Sequence, residues 1–308
     1  MYDILRQMSD FFDKITVSAP VKVNLHLAVK DKRPDGFHNL ESVFLAVDFG
    51  DTLHFQPNLE NITEITVHGI NFDIPMEKNI IFKAISLFKE KTGINQGFKV
   101  YVEKRIPLGG GLGGGSSDAA AALLALNKIA DFPCSRETML EMAASLGSDV
   151  PFFIHQTPAA WVTGRGEIIQ PFEIPNLFLV LVNPGFPSDT AAAFRLLDAH
   201  RDTHTEISIS SFSSVSFVPP CLREMKFEKD GFFNDFLPVF LEKEKAVYNK
   251  IISQLQEQGA VFSSLSGAGS TCFGVFEREE QAQKAAQTLR GSWDFVEFCR
   301  SGYVPLIA

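Results

Sequence analysis

The chain reads as an α+β protein built from two units. Helical and strand periodicities both recur along its 308 residues, without the strict alternation that marks a doubly wound parallel sheet. A polarity shift flanked by Pro171 and Pro175 divides the pattern into residues 1–171 and 172–308. Hydrophobic residues at 45% and charged residues at 21% are those of an ordinary globular chain.

Taken in order, Ile4, Leu5, Met8, Phe11 and Phe12 space as one face of a short helix packed on the body of the protein. Asp3, Asp10 and Asp13 exclude a signal peptide there. Residues 15–30 read as a strand in which Val21, Val23, Leu25, Leu27 and Val29 alternate with polar positions, so Lys22 and Asn24 share a side. A polar turn follows over 30–38. Residues 40–55 form one or two strands, with a turn at Phe49, Gly50 and Asp51, and 62–67 another strand. Asn79 caps a helix over 79–91 that Gly93 ends, and 98–102 is a strand. Helices are predicted over 117–129 and 135–146, the second closed by Gly147. In the second unit, 177–182 is a buried strand, and Ser188 or Asp189 caps a helix through Ala199. Residues 200–220 form an irregular excursion. An amphipathic helix over 240–258 carries Val247, Ile251 and Leu255 on one stripe. Two strands around a glycine turn follow over 260–276, then a helix over 279–290 and a last strand.

The net charge of −9 argues against non-specific nucleic-acid binding, so an anionic ligand needs a local cluster of cations and N–H groups. Cys134, Cys221, Cys272 and Cys299 lie far apart with no C-x-x-C pair, which disfavours a zinc site and fits a reducing cytoplasm. The longest apolar run, 177–182, is far too short to span a bilayer. The expectation is a cytoplasmic protein with a small-molecule partner, acting on neither membrane nor nucleic acid, as a monomer or weak dimer.

Six of the twelve residues from Pro107 to Asp118 are glycine: Pro107, Leu108, Gly109, Gly110, Gly111, Leu112, Gly113, Gly114, Gly115, Ser116, Ser117, Asp118. They open into an Ala-rich helix whose first turn Ser116, Ser117 and Asp118 are suited to cap. Bare N–H groups and the positive end of a helix dipole make this an anion site suited to a phosphate chain. A flexible linker does not run straight into a capped helix. The G-x-G-x-x-G pattern of Gly109, Gly111 and Gly114 lacks the buried apolar strand of a dinucleotide fold, because Lys104, Arg105, Ile106 and Pro107 precede it. No Gly-Lys-Ser/Thr follows, which excludes a Walker loop. From position alone, Asp149 reads as a cap for the next helical turn and Lys22 as a solvated lysine on an edge strand. Phe37 and His38 read as a core aromatic beside a surface His, and the glycines from 267 to 269 as a tight hairpin turn.

Three segments together resemble the kinase superfamily that includes galactokinase, homoserine kinase and mevalonate kinase: residues 19–25, 107–119 and 265–271. Arg33-Pro-Asp-Gly-Phe-His38, Leu146-Gly-Ser-Asp-Val-Pro151 and Gly164-Arg-Gly-Glu167 narrow the resemblance to kinases of a cytidine-diphosphate-linked methylerythritol. It implies a ribosomal-S5-like N-terminal unit and a ferredoxin-like C-terminal unit with the active site in the cleft between them. It further implies transfer of the γ-phosphoryl group of ATP, as its magnesium complex, to the substrate 2-hydroxyl. By the same resemblance, residues 107–117 hold the nucleotide phosphates, Asp149 is the catalytic base and Lys22 its cationic partner. Asn24, Phe37, His38, Phe194, Gly267 and Gly269 contact substrate, with Phe194 or Phe186 stacking opposite Phe37 on cytosine. The family usually has Tyr where this chain has Phe37, which keeps the stacking face and loses a phenol hydrogen bond. Ser117 is a possible hydroxyl ligand for magnesium, and no metal-binding carboxylate is assigned. A sister kinase for mevalonate, homoserine or a sugar, and more remotely an RNA-binding module, are the competing readings.

Overall fold

The structure, a computed structural model, describes residues 14–58, 60–69, 74–203, 227 and 231–302. The expected N-terminal helix, Cys221 and most of the 200–220 excursion lie outside the described residues.

The first sheet is built around two long strands, β1 (Ile15–Lys32) and β2 (His38–Asn58), paired antiparallel. β3 (Glu64–His68), β4 (Gly97–Glu103), β5 (Ala159–Thr163) and β6 (Ile168–Pro171) complete it in the order β3-β4-β2-β5-β6. The turn expected at Phe49, Gly50 and Asp51 does not form, and β2 runs unbroken for 21 residues. Gly50 serves a different end: opposite it the β1 register shifts between Pro20 and Val21, and a Cβ on Gly50 would fall 2.1 Å from the Ala19 carbonyl oxygen. This β-bulge bends the hairpin. One half of β2 then pairs with β5 through residues 42–45, and the other with β4 through residues 52–58. Neither β5 nor β6 was marked by the sequence, being five and four residues long.

One face of this sheet is covered by α1 (Ile80–Thr92), α2 (Gly114–Ile129), α3 (Arg136–Leu146) and α4 (Val150–His155). Asn79 caps α1 through the Ile81 N–H, Gly93 ends it in the left-handed region, and Ser135 caps α3 through the Thr138 N–H. α2 starts three residues before the expected Ser117, so Ser116, Ser117 and Asp118 sit inside the helix rather than at its cap. Its buried Ala119, Ala120, Ala121 and Ala122 let the helix lie close on the strands.

The other face meets a second sheet, ordered β10-β7-β9-β8 from β7 (Phe178–Asn183), β8 (Phe262–Leu265), β9 (Cys272–Phe276) and β10 (Phe295–Arg300). Leu25, Val43, Leu45 and Trp161 of the first sheet pack with Leu179, Leu181, Phe273 and Val275 of the second in one apolar layer. Burying each large side chain there contributes about 1.5–3 kcal/mol, so the two sheets are held as a unit. α6 (Glu242–Glu257) and α7 (Glu279–Leu289) cover the outer face through Tyr248, Ile251, Leu255 and Leu289. The α6 stripe thus uses Tyr248 more deeply than the expected Val247, which is only partly buried. α5 (Thr190–Thr203) is capped by Asp189, whose Oδ1 accepts from the Ala192 N–H, and continues past the expected end at Ala199. Ala193 and Leu197 pack on Leu27, Val29 and Phe236, which brings α5 against the tip of the β1–β2 hairpin. Cys134, Cys272 and Cys299 are free thiols. Among the described residues, no helix is long and apolar enough to cross a membrane.

His26 lies fully buried on β1 between Trp161, with ring centroids 6.0 Å apart, and Phe233, at 4.5 Å edge-on. Burial drives its pKa down from 6.5 to about 4, against a raising backbone hydrogen bond. The unfolded chain therefore binds a proton that the native state refuses as pH falls from 6.5 toward 4. His26 should cost up to about 3 kcal/mol of stability across that window. Urea unfolding of the wild type should show this loss on acidification. His26→Gln should show a shallower pH dependence, and equal slopes would contradict the assignment.

Candidate active site

The glycine loop joins β4 to α2, and its backbone alternates in hand. Gly109, Gly111 and Gly113 have φ of 62°, 74° and 70°, while the residues between them do not enter the left-handed region. Such alternation turns successive N–H groups toward one point and forms an anion nest. Gly113, in the left-handed region, is the N-cap of α2, so the nest runs into the positive end of the helix.

Every carbonyl along this stretch is already engaged. The Gly109 oxygen accepts from the N–H groups of Ser188 and Ser270, and the Gly110 oxygen from the Thr271 N–H at 3.1 Å. The Gly111 oxygen accepts from Ser266 Oγ at 2.9 Å. The Leu112 oxygen accepts from the Lys22 N–H at 3.0 Å, and the Gly113 oxygen from the Ser117 N–H within α2. A trans peptide sets each N–H opposite the preceding carbonyl. The N–H groups of Gly110, Gly111, Leu112 and Gly113 therefore point away from these anchors, and have no hydrogen-bond partner among the described residues. The C-terminal glycine turn is thus the platform on which the loop rests.

Beside the loop, Lys22 and Asp149 meet with Nζ and Oδ2 3.3 Å apart. Asp149 stands at the N-cap position of α4 but its side chain makes no capping bond, so the carboxylate is left for other contacts. Lys22 is buried and held from several sides: its Nζ donates to Asn24 Oδ1 at 2.6 Å and lies 4.6 Å above the Phe44 ring. Asn24 Nδ2 in turn donates to Ser42 Oγ at 2.9 Å. The shared side predicted for Lys22 and Asn24 is what aligns this chain of contacts.

Beneath the loop lies a buried group that sequence reading passed over. Lys104, read as part of a charged approach, has its Nζ 2.5 Å from Asp51 Oδ2 and 2.6 Å from Asp118 Oδ2. Asp51 Oδ1 also accepts from the N–H groups of Arg105 and Ile106. Burial works against the Lys104 charge, yet Asp118 and Asp51 more than offset it and raise the lysine pKa. Burial raises the Asp118 carboxyl, with Lys104 opposing and Asp51 adding to the rise. Removing one member of such a cluster typically costs about 3–5 kcal/mol, because an uncompensated buried charge remains. The strand ending at Glu103 is thereby tied to the N-terminal part of α2. The only sequence signal was a lysine one residue past an apolar alternation.

The hairpin tip supplies the far end of the site. Asp35 Oδ1 accepts from the Phe37 N–H at 3.1 Å and shapes the turn. Phe37 is 52% exposed, with the Arg165 guanidinium 5.1 Å from its ring centre. Arg165 faces Glu167 at 3.9 Å, and the Arg165 N–H donates to the Glu167 carboxylate, which closes a turn. His38 is buried against Phe194, with rings stacked at 5.1 Å, and its Nε2 lies 2.8 Å from Asp198 Oδ1. Phe186 instead packs beside Tyr248 in the second unit, at 6.0 Å.

A cleft of about 840 Å³ joins these parts. Lys22, Asn24, Phe37, His38, Asp149, Phe194, Gly267 and the loop from Pro107 to Ser116 all line it, with Lys104, Arg165 and Asp198. Ser117 and Gly269 do not. Ser117 Oγ is sealed without a partner, and a Cβ on Gly269 would face Tyr248 and Leu265. Gly267 is fixed by Asn234, whose Nδ2 donates to the Leu265 and Gly267 carbonyls at 2.8 Å each. Asp235 accepts from the Val29 N–H at 2.8 Å and from Arg201 at 3.1 Å, so the Asn234–Asp235 pair braces the glycine turn and β1.

An N–H nest at a helix start, a lysine–aspartate pair beside it and two sheets behind it define a small-molecule kinase. The model of the GHMP kinases N terminal domain matches residues 79–157, and that of the GHMP kinases C terminal domain matches residues 226–294. The chain is 37% identical over 282 residues to 4-diphosphocytidyl-2-C-methyl-D-erythritol kinase of Thermodesulfovibrio yellowstonii, covering 91% of this chain and 95% of that one. It is 34% identical to the like-named protein of Prosthecochloris aestuarii, covering 91% and 95%. A crystal structure of a 4-(cytidine 5'-diphospho)-2C-methyl-D-erythritol kinase superposes with a TM-score of 0.75 at 28% identity, over 94% of this chain and 100% of that one. Homoserine kinase from Cytophaga hutchinsonii shares the fold at a TM-score of 0.68 and 19% identity, over 94% and 95%. The chain belongs to the 4-diphosphocytidyl-2-C-methyl-D-erythritol kinase family of the GHMP kinases.

Two glycines separate docking from cleft access. A Cβ on Gly111 would lie 2.1 Å from the Ser266 carbonyl oxygen, whereas on Gly115 its nearest neighbour is Ile80 Cγ2 at 3.8 Å. Gly111→Ala should lower stability by about 2 kcal/mol or more and weaken binding of a non-hydrolysable ATP analogue. Gly115→Ala, inside a helix, should raise stability by up to about 1 kcal/mol. Thermal unfolding and calorimetric titration check both; a stable, nucleotide-binding Gly111→Ala would refute the docking role.

Proposed function

We propose that this chain transfers the γ-phosphoryl group of ATP to the 2-hydroxyl of 4-diphosphocytidyl-2-C-methyl-D-erythritol, yielding the 2-phosphate and ADP in non-mevalonate isoprenoid precursor synthesis. The observation that carries the reading is a single cleft. It places the Lys22–Asp149 pair beside the loop's free N–H groups, and Phe37 and His38 at the same opening. Residues 1–171 carry the loop and the acid–base pair in this reading, and residues 172–308 carry the platform under it. The enzyme is taken as a cytoplasmic monomer or weak dimer acting on neither nucleic acid nor membrane.

Phosphoryl transfer needs positioning and charge neutralisation more than covalent chemistry. The N–H groups of the loop take the β- and γ-phosphate oxygens. The substrate hydroxyl oxygen forms the new bond to the γ-phosphorus, the bond to the β-bridging oxygen breaks, and the hydroxyl proton passes toward Asp149. Lys22, fixed by Asn24 and Phe44, pairs with the carboxylate and offsets charge on the attacking oxygen. Phe37 offers a stacking face to the base and His38 a polar edge.

Magnesium fits as a companion of the nucleotide. Asp51 and Asp118 are both taken by Lys104, and among the described residues no group of three His, Cys, Asp or Glu side chains is placed to hold a metal. The ion would rest on phosphate and water oxygens, with Ser116 a loop hydroxyl that lines the cleft. It would supply charge neutralisation on the phosphates.

Phosphorus NMR of the cytidine-linked methylerythritol incubated with ATP should show a new phosphomonoester, and its absence, with turnover of mevalonate instead, would overturn the substrate. Asp149→Asn should lose about two to four orders of magnitude in turnover while still binding ATP. Lys22→Ala should reduce kcat more than it raises KM. A change confined to KM would make Lys22 a binding residue.

A further inference from the structure

The helix α5 grips His38 from two directions. Phe194 and Asp198 are four residues apart and so share one helix face. Phe194 lies flat on the imidazole, with an interplanar angle of 16°, and Asp198 Oδ1 meets Nε2 at 2.8 Å. The other Asp198 oxygen, Oδ2, accepts from Lys32 Nζ at 2.8 Å. Lys32 is itself the β1 partner of His38 in the hairpin register, so the hairpin backbone sets side by side the two side chains that Asp198 bridges. Burial opposes the Asp198 charge, but Lys32 and His38 outweigh it and hold the carboxyl below its ordinary value.

An ionised carboxylate can only accept hydrogen bonds, so the Nε2 that faces it carries the proton. In the neutral ring, Nδ1 is then left as a lone-pair acceptor. It has no hydrogen-bond partner among the described residues, and it is not one of the atoms sealed from solvent. His38 lines the cleft, so this acceptor is the polar feature its ring offers a ligand.

We infer that Asp198 is a positioning residue that holds His38 as its Nε2–H tautomer and thereby selects a pyrimidine with an amino edge, cytosine, over uracil. The inference rests on the proposed reading of His38 as the base-contacting residue. Cytosine presents an exocyclic NH2 that donates to Nδ1. Uracil presents a carbonyl oxygen at the same place, setting acceptor against acceptor and leaving both unpaired. Sites built around one buried polar complement reject the analogue that lacks it far more strongly than apolar pockets reject a change of size.

Two measurements test this. Nitrogen-15 NMR of the His38 ring in the wild-type protein, in mildly alkaline buffer, should show Nε2 protonated and Nδ1 bare. Kinetics of Asp198→Ala with ATP and either the cytidine-linked substrate or its uridine counterpart should show KM for the cytidine form raised about tenfold, the loss of one hydrogen bond. The kcat should change little, and the preference for cytidine over uridine should narrow. A wild-type His38 protonated at Nδ1 would overturn the inference even if the variant fails to fold. An unchanged cytidine-to-uridine ratio in a folded Asp198→Ala would overturn it as well. Wild-type protein that turns over neither substrate would sink the substrate reading, while the NMR result would still decide whether Asp198 sets the tautomer.

Discussion

The docking of five consecutive carbonyls, from Gly109 to Gly113, is the constraint on which the rest of the site depends. A free glycine loop would rotate its peptide units and present N–H and C=O groups to the cleft in turn. Here the Ser266–Thr271 turn, Ser188, the Lys22 backbone and the first turn of α2 take the carbonyls, and the planar peptide leaves the N–H groups on the other side. The two units are thus joined at the site itself as well as through the apolar layer between their sheets. Asn234 and Ser266 belong to the same construction. Asn234 secures the turn, and Ser266 Oγ both donates to Gly111 and accepts, at 3.4 Å, from the Asn24 N–H.

Charge is arranged with similar economy. The chain carries a net charge of −9, yet its cleft must receive anions. Lys104 bridges Asp51 and Asp118 underneath the loop, Lys22 meets Asp149 beside it, and Lys32 meets Asp198 at the hairpin tip. Each carboxylate thus has a lysine against it, which weakens the repulsion a phosphate would otherwise feel. The N–H nest then adds attraction without adding a mobile cation. A nest and a helix terminus are fixed in orientation before any ligand arrives, which is what transition-state stabilisation requires.

Much of this was legible in residue patterns. The α1 and α3 caps at Asn79 and Ser135 carry strong local signals, since an Asx or Ser side chain before an apolar run has one good use. Strand alternation placed Lys22 and Asn24 on one side because the period of a strand is two. The Phe49–Gly50–Asp51 segment misled, because a glycine between polar and aromatic residues looks alike in a turn and in a bulged strand. Only the close approach of Ala19 from β1 distinguishes them. The α2 start misled for a related reason: Ser116 and Ser117 are good caps in isolation, but Gly113 in the left-handed region begins the helix earlier.

By itself, the sequence determined an α+β chain with a phosphate-type glycine loop entering an Ala-rich helix, and a strand presenting Lys22 and Asn24 together. These are local matters, settled by backbone freedom, propensity and period. Tertiary structure alone decided that Asp149 faces Lys22 instead of capping α4, that Lys104 is buried between Asp51 and Asp118, and that Phe194 stacks on His38. Each of those joins residues distant in the chain, 53 positions apart for Asp51 and Lys104. No local preference encodes such contacts. They follow from the bulge that bends the hairpin and from the apolar layer that brings the second sheet beneath it.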